Sequence, residues 1–207
     1  MWVSDRNIDD LMESGEIFIA RFNEGQLNPN SYDVRLGNWF IYLSHYEDGK
    51  PHYSDFWSMV NGEKIQVPST GVLLATTNER IGARGCYASE LRGKSSIARR
   101  GIDVGSGTGI GEPGYYDQFW TATLTTNTPN AVLTVGEPIA QIIFHELTSN
   151  PYAEYSGQYV SDDWPYVMIP KEYRSRYKNI LYERNNRVII CSDEQDPTWK
   201  KLIVKGG

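Results

Sequence analysis

The residues best suited to chemistry lie in one stretch, "KSSIARRG", at residues 94–101. Its composition predicts a helix of one or two turns that begins near Lys94, Ser95 and Ser96 and ends at Gly101. The first turn of a helix has N–H groups without intrahelical partners, so a cation and two hydroxyls placed there could hold a phosphate. A capped surface helix with basic residues would have the same sequence, and this stretch alone favours that simpler reading.

Two neighbouring stretches add to this candidate site. The glycines at 105, 107, 109 and 111 permit close approach of the backbone to a ligand, although they match neither a P-loop nor a GxGxxG turn. The next stretch, "PGYYDQFWTATLTTN" at residues 113–127, reads as a strand rich in hydroxyls and aromatics. Its only acid, Asp117, lies near its start, so the source of a catalytic base in this strand is an open question.

Short strands must position these residues. A helix is predicted over residues 4–15, with Ser4 as N-cap and Gly15 as its end. Most of the following chain is β-branched or aromatic and broken by Gly, Pro, Asn and Asp, which predicts a sandwich or barrel. The predicted strands are "EIFIARF", "NWFIYL", "EKIQVP", "GVLLATT", "FWTATLTT", "NAVLTV" and "PIAQIIF".

The C-terminal part of the chain differs in character. Beyond about residue 150 it becomes polar and aromatic, with a helix predicted after Pro170 and edge strands predicted in "RVIICSD" and "TWKKLIVKGG". We therefore expect a barrel domain over residues 1–160. Residues 161–207 are expected to form an extension that packs on the same domain or on a neighbouring subunit.

Composition excludes several classes of protein. The 207 residues suit one domain, and a net charge of −6 argues against nucleic acid as a partner. Two cysteines without CxxC spacing predict neither a disulfide framework nor a zinc site, and the three histidines form no ligand pattern. No apolar run approaches the length of a membrane span, so we expect a cytoplasmic protein without a membrane partner.

Several stretches in order resemble the dCTP deaminase and dUTPase superfamily, and within it the dCTP deaminase branch. The resemblance covers roughly residues 2–160, and its order is more specific than any single stretch. The stretches that carry it are "SDRNIDDLMESGEI", "LNPNSYDVRLGNWF", "LLATTNERI", "LRGKSSIARRGIDV", "GEPGYYDQF" and "VGEPIAQIIFHEL". It implies a distorted β-barrel or jelly roll with a short N-terminal helix and one short internal helix, assembled as a homotrimer with sites shared between subunits.

The resemblance also assigns roles to residues. It implies that Lys94, Ser95, Ser96 and Arg99 bind phosphates and position a water near the base, with lysine in place of the family's usual arginine. It implies that Tyr115 packs on the deoxyribose and that the backbone near residues 105–110 reads the base. Further nucleotide-binding positions in this interpretation are Asp103, Thr108, Gln141, Tyr155 and Gln158.

The implied ligand is a deoxyribonucleotide: dCTP, dUTP or dTTP. Magnesium would accompany a bound triphosphate, and Asp33 matches an aspartate that holds it through water in dUTPases; a structural role for Asp33 in its turn is equally consistent. No zinc is expected, because the HxE and PCxxC signature of zinc deaminases is absent.

Two departures from the family pattern bear on activity. The strand glutamate that serves as general base falls on Ala122 when the strand is counted without gaps, or on Leu124 when it is anchored on Asn127. Neither can move a proton, and both have the same inward parity. In "EYSGQY", Glu154 replaces a lysine that contacts the triphosphate, so we expect it to repel phosphate.

Three functions therefore remain open. The first is a dCTP deaminase that converts dCTP to dUTP, natural or inactivated at Ala122. The second is a dUTPase-type pyrophosphatase in which Glu112, three residues before Tyr115, is the alternative base. The third is a nucleotide-binding regulator without catalysis. The order of the motifs favours the deaminase.

Overall fold

The computed structural model of the chain describes residues 1–47, 50–105, 109–160, 182–184, 187–191 and 203–204. These stretches are mostly β-strand with few helical turns, which confirms the predicted all-β, barrel-like class. None of the helices found there is both long and apolar enough to cross a membrane.

Fifteen strands are described. In chain order they are β1 (Ile17–Ile19), β2 (Leu27–Asn28), β3 (Ser31–Glu47), β4 (Lys50–Ser58), β5 (Lys64–Gln66), β6 (Val72–Ala83), β7 (Tyr87–Gly93), β8 (Ile102–Val104), β9 (Ile110–Gly111), β10 (Gln118–Thr126), β11 (Val132–Thr134), β12 (Pro138–Glu146), β13 (Tyr182–Arg184), β14 (Arg187–Cys191) and β15 (Ile203–Val204).

The N-terminal helix, α1 (Asp5–Glu13), confirms the helix predicted over residues 4–15. Gly15 follows it with a φ of +78°, a left-handed conformation that suits glycine at a helix end. Ser4 occupies the N-cap position, as predicted. Its hydroxyl does not cap a backbone N–H and donates instead to Asn7 Oδ1 at 2.8 Å.

Most strands belong to one curled antiparallel sheet in which β3 connects two regions. The first part of β3 pairs with β12, and its later part pairs with β6 and β4. On the other side of β12 lie β7 and then β9, while β10 pairs with β6 and β8. Because β3 belongs to both regions, the sheet bends around a single core, in which the rings of Phe40 and Trp57 stack 5.6 Å apart.

One irregularity in β6 places a carboxylate inside this core. Between the pairs Thr121↔Thr76 and Phe119↔Arg80 the register shifts, so that three residues of β6 lie opposite a single residue of β10. The side chain of Glu79 within this bulge is completely buried. It accepts hydrogen bonds from the backbone N–H of Arg35 at 2.9 Å and from its Nε at 2.5 Å, which compensates the buried charge.

Two C-terminal strands pair with the barrel. Strand β14, within the predicted "RVIICSD" strand, pairs with β4, and β15 pairs with β5 in a small sheet of three strands. The helix predicted after Pro170 lies outside the described residues.

Candidate functional site

A cavity of about 930 Å³ opens where β7, β8 and β10 diverge. It is lined by Leu74, Glu90, Leu91, Arg92, Gly93, Lys94, Ala98, Ile102, Asp103, Val104, Gly105, Gly109, Ile110, Glu112, Tyr115, Trp120, Thr121, Thr123, Tyr155 and Tyr159. Its volume lies within the range of small-molecule sites. Aromatic, hydroxyl and charged groups therefore share one concave surface.

The glycine-rich segment forms part of this wall by close backbone approach. The N–H of Leu91 donates to the carbonyl of Gly109 at 2.7 Å, and the N–H of Gly105 donates to the carbonyl of Thr123 at 2.8 Å. Gly105 has a φ of +71°. A side chain at Gly109 would start 2.8 Å from the carbonyl oxygen of Leu91, so only glycine fits there. Thr108, predicted to help bind the nucleotide, lies outside the described residues.

Three predicted binding residues meet beside the cavity in one polar cluster. Asp33 forms an ion pair with Lys94, and its other carboxylate oxygen accepts from the amides of Gln141 at 3.2 Å and Asn28 at 3.0 Å. The register explains the meeting, because Gln141 of β12 lies directly opposite Asp33 of β3. Gln141 also donates to Ser31 Oγ at 3.2 Å. The structure thus brings together residues that are 108 positions apart in sequence.

The remaining residues of the candidate phosphate segment lie on the surface. Ser95, Ser96 and Arg99 are exposed on or next to α2 (Ser95–Ala98) and do not line the cavity of the single chain. Lys94, which precedes them, does line it. Asp103, another predicted site residue, lines the cavity from β8.

Tyr115, predicted to contact the sugar, forms a fixed aromatic wall. Its hydroxyl donates to the carbonyl of Phe119 at 2.9 Å, and its ring meets that of Trp120 edge-on at 5.3 Å. Burial raises the pKa of the Tyr115 phenol, and the nearby Tyr155 and Tyr159 raise it further. Tyr115 is therefore a neutral side chain at ordinary pH.

The segment 154–160 lies against one end of the cavity, where Tyr155 and Tyr159 form its lining. Tyr155 N–H donates to the carbonyl of Pro113 at 2.7 Å, and a side chain at Gly114 would start 2.7 Å from that same nitrogen. Gln158, another predicted contact, is exposed in the 3-10 turn Gln158–Val160 and does not line the cavity.

Glu154, which is expected to repel phosphate, does not line the cavity of the single chain. Its carboxylate accepts a hydrogen bond from the backbone N–H of Gly85 at 2.6 Å. This charge-assisted hydrogen bond from the Gly85 N–H stabilises the Glu154 carboxylate in its observed position. Glu154 is therefore an anchor of the segment in this structure.

Three carboxylates line the cavity, and two of them have clearly different surroundings. Glu90 is held by Arg92 at 2.5 Å and by His145 Nε2 at 3.0 Å. The side chain of Glu112 is exposed and makes no hydrogen bond within the part of the chain that the structure describes. Its backbone carbonyl closes a turn by accepting from Tyr115 N–H at 2.9 Å. Glu112 lines the cavity, and its carboxylate is without a hydrogen-bond partner among the described residues.

Ala122 does not line the cavity, and this corrects the expectation that a catalytic carboxylate is missing from the wall there. Its side chain is 0 % exposed and lies in the hydrophobic core opposite Ala75. Its neighbours Thr121 and Thr123 line the cavity instead, because successive side chains of a strand point to opposite faces. Leu124, the other predicted position, is also completely buried.

Sequence reasoning missed several lining residues. Glu90 and Arg92 belong to β7, which was not predicted as a strand, and Trp120 lies at the register shift between β10 and β6. Thr121 and Thr123 carried a usable signal, since their alternation with Ala122 and Leu124 is that of a strand with one apolar face.

Comparisons with known proteins agree with this architecture. A family model described as dCTP deaminase-like matches residues 2–147. A dUMP-forming dCTP deaminase of Leifsonia xyli is 28% identical over 177 residues, which cover 80% of this chain and 88% of the relative. A dCTP deaminase of Haloarcula marismortui is 29% identical over 181 residues, which cover 80% of this chain and 92% of the relative.

A solved structure is similar in fold. The crystal structure of 2′-deoxycytidine 5′-triphosphate deaminase from Agrobacterium tumefaciens superposes with a TM-score of 0.54 at 17% identity. The match covers 69% of this chain and 46% of that longer chain, so this chain spans less than half of it.

Proposed function

Because this chain belongs to the dCTP deaminase-like family, we propose that it binds a deoxypyrimidine nucleotide and hydrolyses dCTP to dUTP and ammonia. One observation carries the proposal. The cavity is built almost entirely from the family-matched residues 2–147, with a cation, a neutral aromatic wall and an open carboxylate on one surface. These are the groups that a triphosphate, a sugar and a hydrolytic water require.

The reaction needs one proton acceptor. Water attacks C4 of the cytosine ring, a carboxylate takes a proton from that water, and the proton leaves with the amino group as ammonia. We propose Glu112 for this role, because Glu90 is already held by Arg92 and His145 and Asp103 is also engaged in an interaction. Ala122 and Leu124 are buried in the core and cannot supply the group.

We propose that the phosphates bind where Lys94 meets the surface of α2. Ser95, Ser96 and Arg99 are exposed there, so they are available to a nucleotide that lies between two chains. A homotrimer with shared sites, as the family resemblance implies, would complete the cavity in this way. The exposure of these side chains in the single chain supports the proposal.

We propose that magnesium binds together with the triphosphate. Among the described residues no three His, Cys, Asp or Glu side chains lie together as metal ligands. Both carboxylate oxygens of Asp33 already have partners, in Lys94 and in the amides of Gln141 and Asn28. Asp33 therefore fits contact through a water molecule better than direct coordination.

A second function is favoured by the same open carboxylate. Glu112 could activate a water for attack on the α-phosphate, which would release pyrophosphate from a deoxynucleoside triphosphate. Formation of dUMP from dCTP requires the loss of both ammonia and pyrophosphate, and one relative is named for that product. If neither product forms, the third function applies: a nucleotide-binding regulator that lacks a carboxylate on its β10 wall.

The test is a panel of dCTP, dUTP and dTTP, each scored for ammonia and for pyrophosphate. Ammonia from dCTP supports the deaminase, and loss of this product in Glu112→Gln supports the assigned base. Pyrophosphate without ammonia supports the second function. Binding of these nucleotides without either product would contradict both enzymatic proposals.

A further inference from the structure

Two indole N–H groups, those of Trp57 and Trp120, are buried without a hydrogen-bond partner among the described residues. Trp57 lies in the hydrophobic core, where it stacks on Phe40. Trp120 is 3% exposed and lines the cavity. A buried donor without a partner lowers the stability of the fold, so each one calls for a physical account.

The ring of Trp120 is fixed from several sides. Its backbone N–H donates to Thr77 Oγ1 at 3.0 Å, at the position where β6 bulges. Its ring meets Tyr115 edge-on, and a side chain at Gly111 would start 2.5 Å from its Cζ2 atom. With the backbone and both rings held in this way, the indole has little freedom to turn toward another acceptor in the chain.

We propose that the Trp120 N–H donates a hydrogen bond to the bound nucleotide, at the aromatic end of the cavity that Tyr115, Trp120 and Tyr155 form. This inference rests on the proposed function. The acceptor is the C2 carbonyl oxygen of the pyrimidine ring, which cytosine, uracil and thymine share. Trp120 is thus a specificity-determining residue for a pyrimidine, and it does not distinguish among the three bases.

Access to the indole nitrogen requires a small movement of the side chains that line this end. Tyr159 has the freedom for it, since this side chain is 44% exposed on the segment 154–160. Tyr155 donates its backbone N–H to Pro113, and its ring lies 6.4 Å from that of Tyr115. The ligand would then supply the missing hydrogen-bond partner of the indole.

The substitution Trp120→Phe tests the proposal, because it removes the N–H and keeps an aromatic ring. Trp57→Phe is the matched control, because it removes the other unpaired indole N–H away from the cavity. Dissociation constants are measured by calorimetry for dCTP, dUTP and inorganic triphosphate, which has no base. Thermal unfolding of each variant shows that it is folded.

We expect Trp120→Phe to weaken dCTP and dUTP by about tenfold, equivalent to about 1.4 kcal/mol, and to leave inorganic triphosphate unchanged. Trp57→Phe should bind all three as the unchanged protein does. Equal affinity of folded Trp120→Phe and unchanged protein for dCTP would overturn the proposal, as would an equal loss for inorganic triphosphate. Should Trp120→Phe prove unfolded, Trp120→Met, which also lacks a side-chain donor and can adapt its shape to the space, is to be compared on the same criteria.

The outcome is separable from that of the proposed reaction. Nucleotide binding that depends on Trp120, without ammonia release, would sustain this inference and contradict the deaminase. Ammonia release with affinity that does not depend on Trp120 would do the reverse. If the unchanged protein binds neither dCTP nor dUTP, both proposals are wrong.

Discussion

The substitution Ala122→Glu tests whether residue 122 lies in the core, as the structure places it, or faces the cavity, as the ungapped count along the family's catalytic strand implies. A residue that faced the cavity would accept a glutamate, and the substitution would restore a general base. Ala122 is instead 0% exposed and lies among apolar side chains opposite Ala75. A carboxyl group introduced there would be buried among apolar side chains. We therefore expect Ala122→Glu to destabilise the protein and not to activate it.

The magnitude follows from the cost of the buried charge. Burial raises a carboxyl pKa by up to about 3–5 units, so we expect the pKa of the introduced glutamate to rise from about 4.3 to about 8. Since the folded pKa lies above the unfolded one, the penalty is small in acid and grows as pH rises toward the folded pKa. It amounts to about 1 kcal/mol at pH 5 and about 4–5 kcal/mol at pH 8, and overpacking adds about 1–3 kcal/mol at either pH.

Urea unfolding at pH 5 and pH 8 measures this difference, and Thr123→Glu is the matched control. Thr123 is the adjacent residue, half-buried on the cavity wall, so we expect its substitution to cost only about 1 kcal/mol with little dependence on pH. If Ala122→Glu is as stable as the unchanged protein at pH 8 and releases ammonia from dCTP, the placement of Ala122 in the core is wrong.

Three further predictions concern the anchors of the site and the core. Glu154→Ala removes the hydrogen bond to Gly85, so we expect faster proteolysis after residue 150 and dCTP binding that is weaker by about threefold. Tighter dCTP binding would instead show that Glu154 repels the phosphates. Glu79→Gln removes the charge of a fully buried hydrogen-bond network and should lower the free energy of unfolding in urea by about 3 kcal/mol; Asp117→Asn, in a partly exposed ion pair with Arg80, should change it by less than about 1 kcal/mol, and equal effects would contradict this. Burial raises the pKa of the Tyr115 phenol, so the neutral phenol contributes its full stabilisation below pH 10, and this stabilisation is lost progressively at higher pH. The free energy of unfolding of Tyr115→Phe should therefore depend less on pH between 10 and 12 than that of the unchanged protein. An equal pH dependence would contradict the burial of this phenol.

The sequence predicts secondary structure best where the pattern of neighbouring residues determines it. The helix that becomes α1 has an apolar face at Ile8, Leu11 and Met12, and Gly15 ends it. The strand β12 was predicted because it is rich in β-branched and aromatic residues, and in the structure buried and half-buried positions alternate along most of it. These patterns are local in the sequence, so both elements can be predicted without knowing which other elements they pack against.

Other elements depend on contacts that are distant in sequence. Strand β7 reads "YASELRG", with few β-branched residues, and its strand conformation comes from pairing with β12 along its whole length. Its Glu90 and Arg92 therefore could not be placed at the cavity from the sequence. The meeting of Asp33 with Gln141 likewise follows from the register of β3 and β12.

The position of the absent base shows the limit of counting along a strand. A count without gaps reaches Ala122, but the regular alternation of β10 places Ala122 in the core and turns Thr121 and Thr123 toward the cavity. The anchor made by Glu154 could not be predicted either, because it depends on a backbone N–H that is 69 residues away.

The most direct test of the account is the release of ammonia from dCTP by the purified full chain, with Glu112→Gln as the paired variant and pyrophosphate measured in the same samples. The account predicts ammonia from dCTP, none from dUTP or dTTP, and loss of this product in Glu112→Gln. Ammonia that persists in folded Glu112→Gln would contradict the assigned base. No ammonia from dCTP, although dCTP binds and magnesium is present, would contradict the proposed function.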